Sequence, residues 1–195
     1  MYRAVLDTCV LLPGLQRDFL LQLAAEEAYA PLWGSGILYE LDYVLAEWHR
    51  RRGVLSGGEI RRRLFTQMSE AFPGAEVSAP KDGAYAYVLN DVDDGHVVHT
   101  ALLGKADAIV TADTRAGLET CPDLDAAAVE VVHPAVFAAS TVWAHPEAGV
   151  RALMALASRR RSPAQTPSAI LEHLAQAYGM DEVAELIGPR LAMRH

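Results

Sequence analysis

Asp7 and Asp113 each follow an apolar run that is typical of a buried strand. The two runs cover residues 2–6 and 108–111. In an open α/β sheet, the carboxyl ends of the strands form the crevice in which ligands bind. We therefore expect the two carboxylates to meet there, where crowded acids can hold a divalent cation. Each aspartate could instead cap the turn of helix that follows it, which is a frequent role of aspartate.

Asp94 is a third acid with an informative position. It precedes three apolar residues by three, four and seven positions, namely Val97, Val98 and Ala101. A helix extended back to Asp94 would place this acid on the buried face, where an ionised carboxylate needs a partner. His96 and His99 fall on the opposite side of the same helix. We expect them to be solvated surface histidines, which argues against a histidine–metal site.

Glu40 is a fourth candidate acid. It lies at the margin of the apolar stripe of the helix that follows Ser35, and Glu47 has a similar angular position one heptad later. Spacing alone does not choose between the two glutamates. Either of them could also be an ordinary solvated residue on a helix face. An all-acid site with no inward histidine or cysteine favours Mg²⁺ or Mn²⁺ over zinc.

Several other kinds of site are excluded by missing motifs. The sequence has no GxxxxGKS/T, no GxSxG and no HExxH, and Gly34-Ser35-Gly36 lacks the third glycine of a dinucleotide turn. Cys9 and Cys121 form no CxxC pair, which predicts a reduced, cytoplasmic protein. No stretch approaches the roughly 18 uncharged apolar residues of a membrane helix, so we expect no membrane association.

The elements that must position these acids follow an α/β pattern. The chain has 195 residues, 51% of them hydrophobic, which excludes a disordered tail or a disulfide-built miniprotein. We predict strands at 2–6, 31–33, 108–111 and 129–132. We predict helices after residue 16, from the candidate N-cap Ser35 to about Arg51, and at 56–72 and 94–103. Strands that alternate with helices indicate a parallel sheet covered on both faces.

The pattern changes near Pro146, after which the chain is helical. We predict a basic linker at residues 158–163, an amphipathic helix from Pro167 to Gly179, and a last helix from Asp181 to about Pro189. We therefore expect an α/β domain at 1–145 and a helical C-terminal extension at 146–195.

Four segments resemble the acid-bearing segments of PIN-domain ribonucleases. They are VLDTCVLL, ILYELDYVL, DVDDGHVVHTAL and DAIVTAD, in this order within residues 1–140. The similarity is greatest to VapC-type toxins of bacterial toxin–antitoxin pairs. It implies a PIN-like three-layer α/β/α fold with a central parallel sheet, followed by the helical C-terminal extension that a subset of these toxins carries.

The resemblance also implies roles for individual residues. The catalytic, metal-binding acids would be Asp7, Glu40, Asp94 and Asp113, and the supporting residues would be Thr111, Thr8 and Asp91. The implied activity is Mg²⁺- or Mn²⁺-dependent endonucleolytic hydrolysis of RNA, and the implied partners are a cognate antitoxin and a second copy of the chain. Gly95 stands where relatives often have arginine, and Ala116 and Gly117 replace an acid that relatives can carry.

Arginine runs are the candidate contacts for RNA or for an antitoxin. The net charge is −8, but nine of the 17 Lys+Arg residues lie in three runs, at 50–52, 61–63 and 159–161. Local positive ridges bind phosphates where the total charge would not. The residues of this prediction are Arg50, Arg51, Arg52, Arg61 and Arg62. They could instead be solvated helix ends.

Two other function classes remain open at this stage. One is a degenerate PIN module that binds RNA or a protein partner without cleaving RNA. The other is a receiver-like phosphoacceptor, which is disfavoured because residues 6–8 offer a single acid, Asp7, where such proteins have paired acids.

Overall fold

The computed structural model describes residues 1–160 and 163–193. Within this part of the chain there are five strands: β1 (Arg3–Leu6), β2 (Ala30–Gly34), β3 (Glu76–Val77), β4 (Ala108–Val110) and β5 (Glu130–Val132). The described residues also form ten α-helices: α1 (Thr8–Leu11), α2 (Gly14–Ala25), α3 (Ser35–Arg51), α4 (Gly57–Ala71), α5 (Gly95–Gly104), α6 (Pro122–Ala126), α7 (Pro134–Ala144), α8 (Pro146–Arg159), α9 (Pro167–Tyr178) and α10 (Asp181–Ala192). Short 3₁₀ turns lie at Val92–Asp94 and Leu118–Thr120.

Contacts divide the chain into two compact units. The first comprises Met1–Leu12 and Ala30–Val132, and the second comprises Pro13–Tyr29 and His133–His195. This grouping differs from the predicted division after residue 145, because α2 and α7 group with the C-terminal helices. The boundary between 1–145 and 146–195 stays a prediction about the domains.

A parallel sheet organises the first unit. Its strand order is β3-β2-β1-β4-β5, so β1 lies in the centre and pairs with β2 on one side and β4 on the other. Ala4, Val5 and Leu6 are fully buried, as expected for a strand covered on both faces. The predicted α/β/α fold with a central parallel sheet and the helical C-terminal region are confirmed. Strand β3 was not predicted, because its two residues carry no strand pattern.

Two glycines allow α5 to pack closely in the first unit. A Cβ atom on Gly36 would lie 2.6 Å from Cδ2 of His96, and a Cβ on Gly34 would clash with Thr100. The fragment Gly34-Ser35-Gly36 is therefore a packing element, since only glycine leaves room for the side chains of α5 at these two positions.

The second unit is helical and has its own apolar core. The Tyr29 hydroxyl donates to the Leu20 carbonyl oxygen at 2.9 Å, and its ring packs edge-on against Phe137. The predicted buried face of α9 is present at Ile170, Leu171 and Leu174. Helix α10 continues to Ala192, so the prediction that it ends near Pro189 was wrong. In the described part of the chain, every helix is too short or too polar to span a bilayer.

Two arginines of the third run, Arg159 and Arg160, contact side chains of α2 within this unit. Arg159 donates to the Gln22 side chain at 2.7 Å, and Arg160 pairs with Asp18 at 3.0 Å. Arg161, together with Ser162 of the predicted linker, lies outside the described residues.

Candidate metal centre

One cavity of about 540 Å³ lies beside the carboxyl ends of β1 and β4 in the first unit. The four predicted acids all line it: Asp7, Glu40, Asp94 and Asp113. They come from four separate segments of the chain, which the parallel sheet and the helices α3 and α5 bring together. Thr8 lines the same cavity, so five of the predicted site residues meet in one place.

Asp7 is both a helix cap and a cavity residue. Its Oδ1 accepts a hydrogen bond from the backbone N–H of Thr8 at 2.6 Å, which caps α1. Its Oδ2 accepts from the Thr111 hydroxyl at 2.8 Å and from the Cys9 thiol at 3.1 Å. The two interpretations of Asp7 therefore do not exclude each other. These donors fix the carboxylate at the end of β1.

Asp113 is joined to Asp7 through Thr111. The Thr111 hydroxyl donates to Asp7 and accepts from the backbone N–H of Asp113 at 3.0 Å. The backbone N–H of Arg115 donates to Asp113 Oδ1 at 2.8 Å. This hydrogen bond holds the pKa of Asp113 below its usual value, with a smaller contribution from the Arg115 guanidinium.

Glu40, and not Glu47, reaches the cavity. The Thr8 hydroxyl donates to Glu40 Oε2 at 2.9 Å, and the Lys81 ammonium lies 2.5 Å from Oε1. Burial by itself would raise the pKa of Glu40, but the contacts with His96, Lys81 and Thr8 outweigh burial and lower it to about 2. Glu47 instead pairs with the arginines that end α3.

Asp94 is the acid that is hardest to ionise in this cavity. It ends the 3₁₀ turn before α5 and is half-buried. Burial and, to a smaller extent, the negative charge of Asp7 raise its pKa to about 6. Asp91 is exposed, caps the same turn through the backbone N–H of Asp93 at 3.0 Å, and is not among the cavity-lining residues that the structure describes.

His96 points inward, so the prediction that it faces the wetter side was wrong. Its side chain is 0% exposed. Nδ1 lies 2.9 Å from the carbonyl oxygen of Asp93, and Nε2 lies 3.3 Å from Glu40 Oε2 without making a hydrogen bond. The prediction failed because α5 is buried around most of its circumference, so apolar spacing does not define a single buried face. No signal in the sequence distinguishes His96 from His99.

Lys81 is a second residue that sequence reasoning missed. Its loop is held against the start of α3: Ala79 N–H donates to the Ser35 hydroxyl at 3.1 Å, and Gly36 N–H donates to the Ala79 carbonyl at 2.8 Å. Helix α3 begins at Ser35 and has Gly34 as its N-cap, so the predicted cap at Ser35 was wrong. These bonds place the Lys81 ammonium beside Glu40, inside the cavity.

Two tyrosines also line the cavity. Tyr39 and Tyr43 are one helical turn apart on α3, on either side of Glu40 in sequence, and their side chains are 67% and 68% exposed. Their exposure sets them apart from the buried apolar residues of α3. These two tyrosines were not predicted as site residues, because exposed tyrosines on a helix carry no motif.

Four arginines of the first two runs contact neighbouring side chains. The pairs are Arg50 and Arg51 with Glu47, Arg52 with the ring of Trp48, and Arg61 with Asp42. Arg50 and Arg51 form the last turn of α3, where positive charge stabilises the helix end. Arg62 is exposed. None of these five arginines is among the cavity-lining residues that the structure describes, and their contact with RNA or a partner stays a prediction.

The ligand atoms of Glu40, Asp94 and His96 form a compact group. They all lie within 4.8 Å of each other, and this is the one such group of three or more in residues 1–160 and 163–193. Two carboxylates and an imidazole nitrogen without a hydrogen bond are a donor set that fits a divalent cation. Asp7 and Asp113 line the same cavity outside this group.

Comparison with known proteins places these segments in a family. The model of the PIN domain matches residues 3–115, which is more than half of the chain and includes the four acids. A search of the curated proteins and of the solved structures finds no significant match. PIN domains are a family of nucleases that generally use divalent metal ions. The chain belongs to the PIN domain family.

Proposed function

We propose that this protein is an endoribonuclease that hydrolyses RNA phosphodiester bonds with Mg²⁺ or Mn²⁺. The observation that carries the proposal is the convergence of Asp7, Glu40, Asp94 and Asp113 on one cavity. Two carboxylates about 4 Å apart repel by roughly 4 kcal/mol at an effective dielectric constant of about 20. A divalent cation relieves that repulsion, and oxygen-rich sites of this kind suit Mg²⁺ and Mn²⁺.

The chain's own residues would orient the reaction. A divalent ion bound in the cavity supplies an activated water and neutralises charge on the phosphoryl oxygens. Asp7, Asp94 and Asp113 are the proposed ligands, and Glu40 is a ligand or orients the attacking water. The hydroxyls of Thr8 and Thr111 donate to Glu40 and Asp7, which keeps these carboxylates in place.

Cys9 lies in the same cavity but does not supply a nucleophile in this proposal. Burial and, to a smaller extent, the nearby charge of Asp7 raise the pKa of its thiol to about 11. The thiol therefore stays protonated at neutral pH and donates to Asp7. Hydrolysis by an oriented water fits this cavity better than attack by a thiolate.

The proposed biological role is that of the toxin in a cytoplasmic toxin–antitoxin pair. The order of the four acid-bearing segments and the helical C-terminal region support this role through their resemblance to VapC-type toxins. The antitoxin would block the cavity, and an arginine side chain is well suited to pair with its carboxylates. A homodimer of the chain belongs to the same proposal.

A second candidate function is a PIN module that binds RNA or a protein without cleavage. The ion pair between Lys81 and Glu40 favours it, because an internal cation already offsets part of the charge in the cavity. In that case, the acids would not take up a metal ion. Calorimetric titration with Mn²⁺ separates the two functions.

Substitution of the acids tests the endoribonuclease. Asp7→Asn and Asp94→Asn should abolish metal-dependent cleavage of RNA, whereas the exposed Asp125→Asn should cleave at the wild-type rate. Glu40→Gln and Glu47→Gln are a matched pair on α3, and the first alone should lose activity. Wild-type cleavage by either aspartate variant would refute the assignment of the site.

Expression in cells tests the substrate and the toxin role together. Induction should slow growth and produce new RNA 5′-phosphate ends at a small set of shared sites. Asp94→Asn should do neither. No new ends and normal growth with the wild-type protein would favour the module that binds without cleavage.

A further inference from the structure

We propose that Glu40, Asp94 and His96 form a mixed nitrogen–oxygen site that binds a first-row transition-metal dication in preference to Mg²⁺. The inference rests on the metal dependence in the proposed function, but it does not require RNA to be the substrate. His96 is the residue that distinguishes this site from one made of carboxylates alone.

The backbone sets which nitrogen of His96 can bind a metal. Nδ1 lies 2.9 Å from the carbonyl oxygen of Asp93, which can only accept a hydrogen bond, so Nδ1 carries a proton. In the neutral ring, the lone pair is then on Nε2, which faces Glu40. Metal-binding histidines commonly have this arrangement, in which the second ring nitrogen donates to a backbone carbonyl or a carboxylate.

Nε2 is buried and lacks a hydrogen-bond partner. It faces Glu40 Oε2 across 3.3 Å. Two atoms that both present lone pairs repel at this distance unless a proton or a cation lies between them. A dication held by both atoms would remove this repulsion, and it would accept both an imidazole nitrogen and a carboxylate oxygen as ligands.

The imidazole ring is held in this orientation by its surroundings. A side chain at Gly36 would occupy the position of the ring, since its Cβ would lie 2.6 Å from Cδ2 of His96. The absence of a Cβ there creates the slot, and the bond to Asp93 fixes the rotation of the ring within it. The direction of Nε2 is thus set before a metal arrives, as a site on rigid elements requires.

An imidazole ligand changes which metals the site prefers. Mg²⁺ strongly favours oxygen ligands, whereas Co²⁺, Zn²⁺ and Mn²⁺ accept nitrogen, and the affinity for nitrogen ligands rises across the first-row series. Lys81 pairs with Oε1 of Glu40 and leaves Oε2 facing His96. The geometry therefore predicts stronger binding of Co²⁺ than of Mg²⁺.

Pulsed EPR on the full chain loaded with Mn²⁺ tests for a metal-bound nitrogen. Wild type should show ¹⁴N modulation from a coordinated imidazole. His96→Asn keeps a donor near the Asp93 carbonyl but removes Nε2, so the modulation should disappear. His99→Asn is the matched control on the same helix and should keep it. Where His96→Asn does not fold, His96→Gln takes its place.

Calorimetry with Co²⁺ and Mg²⁺ gives a second readout. His96→Asn should lose at least about tenfold in Co²⁺ affinity, and its Mg²⁺ affinity should change by less than about threefold. Three results would overturn the inference. They are the absence of ¹⁴N modulation in wild type, its persistence in His96→Asn, and an equal loss of affinity for Co²⁺ and Mg²⁺ in that variant. If the protein cleaves RNA but shows no metal-bound nitrogen, only this inference is overturned. If it takes up no metal at all, the proposed function is overturned as well.

Discussion

Glu40 and Asp94 line the same cavity, yet their pKa values are displaced in opposite directions, to about 2 and about 6. Burial alone would raise the pKa of Glu40, but its contacts with His96, Lys81 and Thr8 together outweigh burial. Asp94 is raised by burial and by neighbouring negative charge, and its side chain makes no capping bond to α5. In the metal-free protein, the ionised Asp94 is therefore the strained member of the pair.

Asp94→Asn should stabilise the metal-free protein at pH 7. The pKa of Asp94 is raised from 3.8 to about 6 on folding, so the folded state binds its proton more tightly than the unfolded chain does. Stability is then lost as the pH rises from about 4 through 6. Because the group is half-exposed, we expect a gain of about 1 kcal/mol in the free energy of unfolding for the asparagine variant.

Urea unfolding in the presence of a chelator measures this gain. The difference between Asp94→Asn and wild type should shrink towards zero near pH 4, where wild type is already protonated at this position. The exposed Asp125→Asn should show no such dependence on pH. A variant that is less stable than wild type at pH 7 would contradict the raised pKa.

Metal binding should weaken on acidification for the same reason. At pH 5, most Asp94 carboxyls carry a proton, whereas Glu40, with a pKa of about 2, stays ionised. We expect the affinity for Mn²⁺ to fall by at least about tenfold between pH 7 and pH 5, since the proton on Asp94 must leave before this carboxylate binds the metal. Calorimetry at several pH values checks this, and Asp94→Asn should show a much flatter dependence. Equal affinity at both pH values in wild type would count against Asp94 as a ligand.

The positions of Asp7 and Asp113 could be predicted from the sequence, because both follow strands and the carboxyl ends of parallel strands lie at one edge of the sheet. Spacing alone could not separate Glu40 from Glu47, since residues one heptad apart project at nearly the same angle. Contacts made by distant residues decide between them: Thr8 holds Glu40 in the cavity.

His96 and Lys81 were beyond prediction for two different reasons. Helix α5 is buried on several sides, so its own sequence does not show which way His96 faces. The imidazole ring fits because Gly36, on another helix, has no Cβ, and nothing near His96 in the sequence indicates this contact. Lys81 lies in an irregular loop whose path depends on hydrogen bonds between Ala79 and the start of α3. Local propensity carries no information about contacts of this range.

Gly36→Ala should destabilise the protein and disturb the cavity. The new Cβ would lie 2.6 Å from the His96 ring and 2.8 Å from the Ala79 carbonyl oxygen, a backbone atom that cannot turn aside. Overpacking of this kind costs about 1 to 3 kcal/mol. Thermal and urea unfolding measure the loss, and Mn²⁺ affinity should fall with it.

Gly58→Ala is the matched control for this prediction. Gly58 lies in α4, and a Cβ there would meet nothing within 4 Å. Alanine should stabilise the helix by up to about 1 kcal/mol. If Gly36→Ala proved as stable as wild type, the close approach of His96 to this glycine would be refuted.

Lys81→Met should strengthen metal binding. The ammonium 2.5 Å from Glu40 Oε1 competes with a dication for the same carboxylate, and its removal makes the cavity more negative. We expect a gain of about tenfold in Mn²⁺ affinity. Lys81 lowers the pKa of Asp94 in wild type, so its removal should raise that pKa. The titration is therefore done at pH 8, to keep Asp94 ionised.

Lys105→Met, at the other lysine of the chain, is the control for Lys81→Met and should leave the affinity unchanged. Weaker binding by Lys81→Met would contradict competition. It would mean that Lys81 holds Glu40 in a productive position.

Tyr39 and Tyr43 should bind unpaired bases of the proposed RNA substrate. Both exposed rings line the cavity beside Glu40, and base–aromatic stacking contributes about 1 to 3 kcal/mol per base. In an inactive Asp94→Asn background, replacing either tyrosine by alanine should weaken binding of single-stranded RNA at least about fivefold, and duplex RNA should be little affected. Phenylalanine keeps the ring and should retain most of the affinity. A phenylalanine variant as weak as alanine would show that the hydroxyl makes the contact, and stacking would be ruled out.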